Sequence, residues 1–241
     1  MARAVRPARS VEPLEAPFPL PIPIEFVRSP RARRISLRLD VARGRAVLLA
    51  PHAVARRQAI DFLSRHEGWL KARLAQIPAP KPFTDGATVP ILGIPHLIRA
   101  DATRLRGVVS RTDRTLVAPG AAEHLSRRVT DFLKAEAKRE IDARARAKSR
   151  RLGRPIAALT LRDTRSRWGS CSATGRLAFS WRLILAPESV LDYVVAHEVA
   201  HLAEMNHGAR FWRLCAELTD TDPKAARAWL KQHGPTLHSY G

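Results

Sequence analysis

Apolar residues recur at every second position in several short runs of this chain and at helical spacing in others, a mixture that predicts small sheets joined by helices. Arg34-Ile-Ser-Leu-Arg-Leu39 and Arg45-Ala-Val-Leu-Leu-Ala50 read as paired strands around Gly44, and Pro51 opens a helix carrying Arg56, Arg57 and Asp61-Phe62-Leu63. Further along, the layout recurs. His96-Leu-Ile-Arg99 and Thr115-Leu-Val-Ala118 read as strands, Pro119 and Gly120 break the chain, and a helix carries Arg127, Arg128 and Asp131-Phe132-Leu133. The residues shared by the two stretches are few, so they are described as two similar strand-strand-helix modules. Pro78-Ala-Pro80-Lys-Pro82 links them, and the second helix is expected from about Ala121 to Arg151, where Gly153-Arg-Pro155 stops it.

Beyond Pro155 the pattern returns to strands. Leu159-Thr-Leu-Arg162 is short, Ala173-Thr-Gly-Arg176 is a turn, and Leu177-Ala-Phe-Ser-Trp-Arg-Leu183 alternates as a half-buried strand should. A helix is predicted from Pro187 or Glu188 to about Met205, with proline near its first position and Glu188 in its positive first turn. Leu191, Val195, Val199 and Leu202 give it an apolar stripe opposite its histidines, one face for a core and one for a cleft. Phe211-Trp-Arg-Leu-Cys215-Ala-Glu-Leu218 forms the next helix, with Cys215 on its apolar face, and the last begins at Asp222-Pro223 and ends before Gly234. The expected class is α+β. The expected regions are a flexible Pro/Arg-rich tail over 1–23, the strand-strand-helix modules over 24–120, and a catalytic region over 121–241 that includes the long basic helix.

Composition narrows the class. A chain of 241 residues that is 45% apolar supports one large domain or two small ones. The apolar stretch Phe18-Pro-Leu-Pro-Ile-Pro-Ile24 is interrupted by prolines, and no membrane span or signal segment is expected. Two cysteines, Cys171 and Cys215, make no disulfide framework, so a cytoplasmic setting is expected. The net charge of +20 is carried by the N-terminal side, with 31 Lys/Arg against 14 Asp/Glu before residue 153 and 11 against 8 from there on. Such a surface attracts nucleic acid or acidic proteins non-specifically, and Arg144, Arg146, Lys148, Arg150 and Arg151 are its candidate ridge. No nucleic-acid motif and no interleaved aromatics accompany the basic residues, and 35 arginines against 7 lysines fit a compositional bias equally well.

The chemistry is concentrated in His197-Glu198-Val199-Ala200-His201, followed by His207. Histidines four apart on a helix lie about 40° apart around its axis and one turn apart along it, so both imidazoles reach one ion. Glu198 points about 100° away, off the metal but close enough to serve as general base to a metal-activated water. A tetrahedral site needs its third ligand from another direction. His207 fits, since Asn206 and Gly208 tolerate the left-handed backbone that ends a helix and turns the chain. Glu204 and Glu217 are the other candidates; a helical Glu204 would stack along the line of the histidines instead of closing the tetrahedron.

At Arg165-Ser-Arg-Trp168-Gly-Ser-Cys171-Ser, at Leu177-Ala-Phe-Ser-Trp181-Arg182-Leu183 and from His197 to Trp212, the chain resembles the YgjP-like metallopeptidases, relatives of the SprT-type zinc proteases. The resemblance implies one Zn²⁺ per chain held by His197, His201 and His207, with Glu198 catalytic, in a zincin-like helix-and-sheet domain behind a smaller N-terminal region. It makes the expected function that of a zinc metalloendopeptidase acting on peptide or protein substrates, aligned on a sheet edge supplied by Trp168–Trp181. Arg210, Tyr193, Arg167 and His233 are the candidates for oxyanion stabilisation. Cys171 reads as structural, because three histidines already complete a catalytic site that keeps a position for water. Two rivals stand beside this reading: a SprT-like protease brought to nucleic-acid-bound proteins by the basic half, and a protein whose zinc is purely structural. The carboxylate of Glu198 has no use in the latter.

Overall fold

A computed structural model describes residues 10–104 and 106–241 as two compact units that divide between Ile77 and Pro78. In the first, β1 (Ser10–Leu14), β2 (Ile24–Arg28), β3 (Ser36–Asp40) and β4 (Arg45–Ala50) form a sheet of order β1-β2-β4-β3. β2 and β4 run parallel, and each edge strand is antiparallel to its neighbour. Two helices follow, α1 (Arg56–Arg65) and α2 (Glu67–Ala75). Alternation along β4 buries Ala46, Leu48 and Ala50 with Phe26, Ala59, Leu63 and Leu70 in one core. The expected tail is thereby corrected in part: residues 1–9 lie outside the described residues, but Ser10–Leu14 pairs with β2 and Leu14 is buried in the core.

The second unit contains two sheets and four helices. β5 (Thr88–Ile91), β6 (Ile94–Asp101), β7 (Ser110–Thr112) and β8 (Thr115–Pro119) make a sheet of order β5-β6-β8-β7. Its central pair is parallel and its edges antiparallel, the same topology as the first sheet. The repeat predicted from the sequence therefore exists as a four-stranded arrangement, with a different correspondence of strands. His96–Arg99 belongs to β6, which matches β2; the counterpart of β3 is β7, three fully exposed residues with no apolar alternation to reveal them. The division of the chain also falls at the proline linker instead of near residue 120. Val89, Ile91, Ile98 and Leu116 of this sheet share a continuous core with the long helix α3 (Leu125–Leu152) and all that follows, so no boundary can form there.

α3 buries a single stripe, Leu125, Val129, Leu133, Ala137, Ile141 and Ala145, at four-residue spacing. Gly153 ends it in the left-handed conformation, φ 66°, with its N–H turned back to the last turn. Four of the five basic residues singled out near its end have partners within the fold. Arg144 pairs with Glu140 and Glu188, Arg146 with Asp142, and Arg151 donates to the Glu217 carbonyl. Lys148, 8% exposed, reaches Asp192 at 2.8 Å and the Leu218 carbonyl at 2.6 Å. Of the expected ridge, Arg144, Lys148 and Arg151 clamp α3 to the helices that follow it, while Arg146 pairs within α3 and both Arg146 and Arg150 stay exposed.

The third sheet, order β10-β11-β9, comprises β9 (Ala158–Arg162), β10 (Gly169–Cys171) and β11 (Arg176–Ser180). The strand expected to run to Leu183 stops at Ser180 and becomes a 3₁₀ turn, Trp181–Leu185, buried at every position. Ser180 caps it, and Arg182 leaves the sheet to pair with Asp163 at 2.7 Å and to donate to the carbonyls of Leu237 and Tyr240. Then follow α4 (Glu188–Ala200), α5 (Ala209–Leu218) and α6 (Pro223–Leu237). No described helix is long and apolar enough to cross a membrane.

Candidate metal centre

α4 carries His197 and Glu198 in its last turn, and His201 follows at its C-terminal cap. The helix is shorter than expected: after Ala200 the N–H groups of Leu202 and Ala203 bond three residues back and tighten the chain into turns. It is also buried almost all round, at Val190, Val194 and Ala196 as well as along the Leu191, Val195, Val199 stripe. The cleft is accordingly confined to its C-terminal end. There the chain reverses through Met205–Gly208 and returns as α5, which places His207 opposite His197 and His201. Gly208 adopts no left-handed conformation; it is the extended N-cap of α5, φ −79° and ψ −176°, so the turn is made by the residues before it.

One ligand nitrogen from each of His197, His201 and His207 lies within 4.8 Å of the other two. The Nε2 atoms of His197 and His207 are 3.0 Å apart. Two imidazoles sharing a tetrahedral ion at about 2.0–2.1 Å place their nitrogens roughly 3.3 Å apart, so the cluster fits one cation of zinc's size. The outer nitrogens are held as ligands require. His201 Nδ1 is 3.0 Å from the Glu204 carbonyl, which fixes the proton there and frees Nε2, while His197 Nδ1 faces the Tyr193 hydroxyl at 3.5 Å. Burial and the neighbouring histidines push His197 down to about 4, so it is neutral and free to donate its lone pair.

Phe211 of α5 is the platform of the cluster. Its ring is fully buried, with centroid separations of 4.9, 4.5 and 4.7 Å from His197, His201 and His207. Trp212 lies 6.0 and 5.8 Å from His197 and His207. In the sequence Phe211 reads only as an apolar helix residue; its contact with the histidines depends on how the chain reverses into α5, which no local pattern reveals. Glu204 stands apart from the nitrogen cluster and faces Arg210 at 3.8 Å, and Glu217 is engaged through its carbonyl by Arg151.

Glu198 is 7% exposed, and burial pushes its carboxyl up to about 7 against the opposing influence of the Arg167 charge. It lies directly against the backbone of β10. A Cβ at Gly169 would come within 2.5 Å of Glu198 Cγ and 2.6 Å of Oε1, so only glycine fits the strand position that faces this carboxylate. Gly169 is the second functional position missed in the sequence. Cys171, two residues on, keeps its proton: burial and the Glu198 charge push its thiol up to about 11, consistent with a structural residue. Among the oxyanion candidates, Tyr193 is 3% exposed and stands behind His197, which makes it a support of that ring. His233 lies tilted against Trp229 at 4.7 Å, and Arg210 faces Glu204, leaving Arg167 as the candidate whose charge acts on Glu198.

The YgjP-like, metallopeptidase domain family model matches residues 34–233, most of the chain and both of its units. The chain belongs to the YgjP-like metallopeptidase family. No curated protein and no solved structure matches it. Membership makes the protein a metallopeptidase in general, and in this YgjP-like chain the three histidines are the one group of His, Cys, Asp or Glu side chains among the described residues arranged to hold an ion.

Proposed function

We propose that this protein is a zinc-dependent endopeptidase, with His197, His201 and His207 as the zinc ligands and Glu198 as general base. The observation that carries the reading is the convergence of three imidazole nitrogens within 4.8 Å beside a buried carboxylate supplied by the same helix. The three histidines would hold the zinc, which when bound would supply Lewis acidity to polarise a carbonyl and acidify water. Three protein ligands leave the coordination open for those groups, as catalytic sites do and structural sites do not. Glu198 accepts a proton from the attacking water and hands it to the departing amine, so that one amide and one water become a carboxylic acid and an amine. Burial makes the Glu198 carboxylate a stronger base than an exposed one, which favours its taking the proton. The charge of Arg167 acts on Glu198, which supports it as the group that would stabilise negative charge developing there.

β10 is an edge strand, antiparallel to β11 on one side only. Its free backbone groups can take an extended substrate as an added strand, which gives hydrolysis little dependence on sequence at the paired positions. The test is the Glu198→Gln protein beside wild type, assayed for metal content and for hydrolysis of unstructured casein. Both should hold about one zinc per chain, and only wild type should cleave. Equal cleavage by the two proteins overturns the role of Glu198, and a zinc-loaded wild type without hydrolysis of any peptide overturns the peptidase reading.

A further inference from the structure

The outer face of the third sheet forms a groove with a volume of about 470 Å³ that, apart from Arg167 and the β10 edge, the proposed chemistry leaves unused. Register explains its floor. Thr160 of β9, Ala178 of β11 and Ser170 of β10 lie in one row across the sheet, with Ala158 beside them. The alternate residues of β11, Leu177 and Phe179, point into the core, so narrow side chains cover the middle of the outer face. Three exposed arginines surround it: Arg162 and Arg176 from the strands, and Arg167 from the connection between β9 and β10. That connection is fixed at both ends, by the Asp163–Arg182 pair and by the Thr164 hydroxyl bonded to the Arg167 carbonyl at 3.0 Å.

We infer that this groove is a subsite for an acidic stretch of polypeptide, whose Asp or Glu side chains pair with Arg162, Arg167 and Arg176. The lining contains no Asp or Glu, and none of the three arginines has a carboxylate partner among the described residues. Guanidinium groups around a concave floor of small and hydroxyl side chains complement carboxylates carried on an extended chain. A single-stranded nucleic acid would need aromatic platforms for its bases, and the one aromatic ring in the lining, Phe179, is 1% exposed. The groove also adjoins the candidate centre: Gly169 lines it and is the residue against which Glu198 packs. A substrate paired with β10 would thus carry its neighbouring residues onto this face. The choice of polypeptide as ligand rests on the peptidase reading.

The test measures binding without turnover. In the full-length Glu198→Gln protein, fluorescence anisotropy compares a labelled alternating Glu-Ala peptide with its Gln-Ala counterpart. The acidic peptide should bind at least about 10-fold more tightly at low salt. Arg162→Gln/Arg167→Gln/Arg176→Gln should abolish that preference, while Arg31→Gln/Arg33→Gln/Arg57→Gln, which removes the same charge from the other unit, should change it less than about 2-fold. The triple Arg→Lys variant guards against misfolding, since it keeps the charge and should keep most of the preference. Equal loss in both Gln triples reduces the effect to net charge and overturns the inference. So does tighter binding of oligo(dT) or inorganic tripolyphosphate through the same three arginines. Acidic-peptide binding with no hydrolysis by wild type would leave the groove standing and remove the peptidase reading, whereas hydrolysis of casein with no acidic preference in binding would remove the groove alone.

Discussion

Replacing Gly169 by alanine adds one methyl group in the space that the Glu198 side chain occupies. The glycine adopts no left-handed conformation, so the effect is purely steric. The new Cβ would lie 2.5 Å from Glu198 Cγ and 2.8 Å from Cδ. Ordinary carbon contacts lie at about 3.5–4.0 Å, so one of the two must retreat by about 1 Å. β10 is held by its pairing with β11, and the α4 backbone is held by Val199 and Ala200, both fully buried, which leaves the Glu198 side chain to move. A displacement of about 1 Å at a general base costs on the order of 100-fold in rate, and an overpacked methyl costs about 1–3 kcal/mol of stability. The three atoms nearest the added methyl all belong to Glu198 and none to a histidine, so metal content should be unchanged. Kinetics on a fluorogenic peptide should therefore show kcat/KM lowered about 100-fold in a folded, metal-loaded protein. If kcat/KM stays within about 3-fold of wild type, the close approach of Glu198 to the strand has no part in catalysis and the reasoning fails.

Phe211→Ala should lower zinc affinity by about 10–100-fold, read by competition with a chromophoric chelator, because the rings of all three histidines lose their common platform. Lys148→Met should cost about 3 kcal/mol in urea denaturation, the low end for breaking a buried pair, because Asp192 is 25% exposed and keeps the Thr219 hydroxyl at 2.6 Å. Adding Asp192→Leu should recover part of that loss; a still larger loss would show that the pair itself is worth more than its desolvation. Burial against Trp168 and the charges of Arg182 and Arg165 push His238 down to about 4 from an ordinary 6.5. The unfolded chain then binds a proton that the folded chain refuses, so stability is full above pH 6.5 and falls as pH drops towards 4, by at most about 3 kcal/mol from this residue. Equilibrium unfolding across that range should show the slope reduced in His238→Phe, and an unchanged slope would place its origin elsewhere.

What the chain states by itself is local. Helical geometry alone puts His197 and His201 on one face with Glu198 beside them, and alternation alone locates β4 and β11, because both periods are properties of neighbouring residues. Pro78 and Gly153 mark a boundary and a helix end for equally local reasons. The tertiary structure decided the rest. Trp181–Leu185 continues a strand pattern yet turns, since Arg182 finds its partners in Asp163 and in two carbonyls near the C-terminus. β7 forms without any alternation, its place set by pairing with β8. Lys148 and Arg144, basic residues on an apparently solvated helix, meet acidic groups of α4 some 44 residues away, and no pattern of charge along one helix foretells that. Phe211 under three histidines and Gly169 against Glu198 are contacts between separate elements. Periodicity tells which way a side chain faces, and only packing determines what it faces.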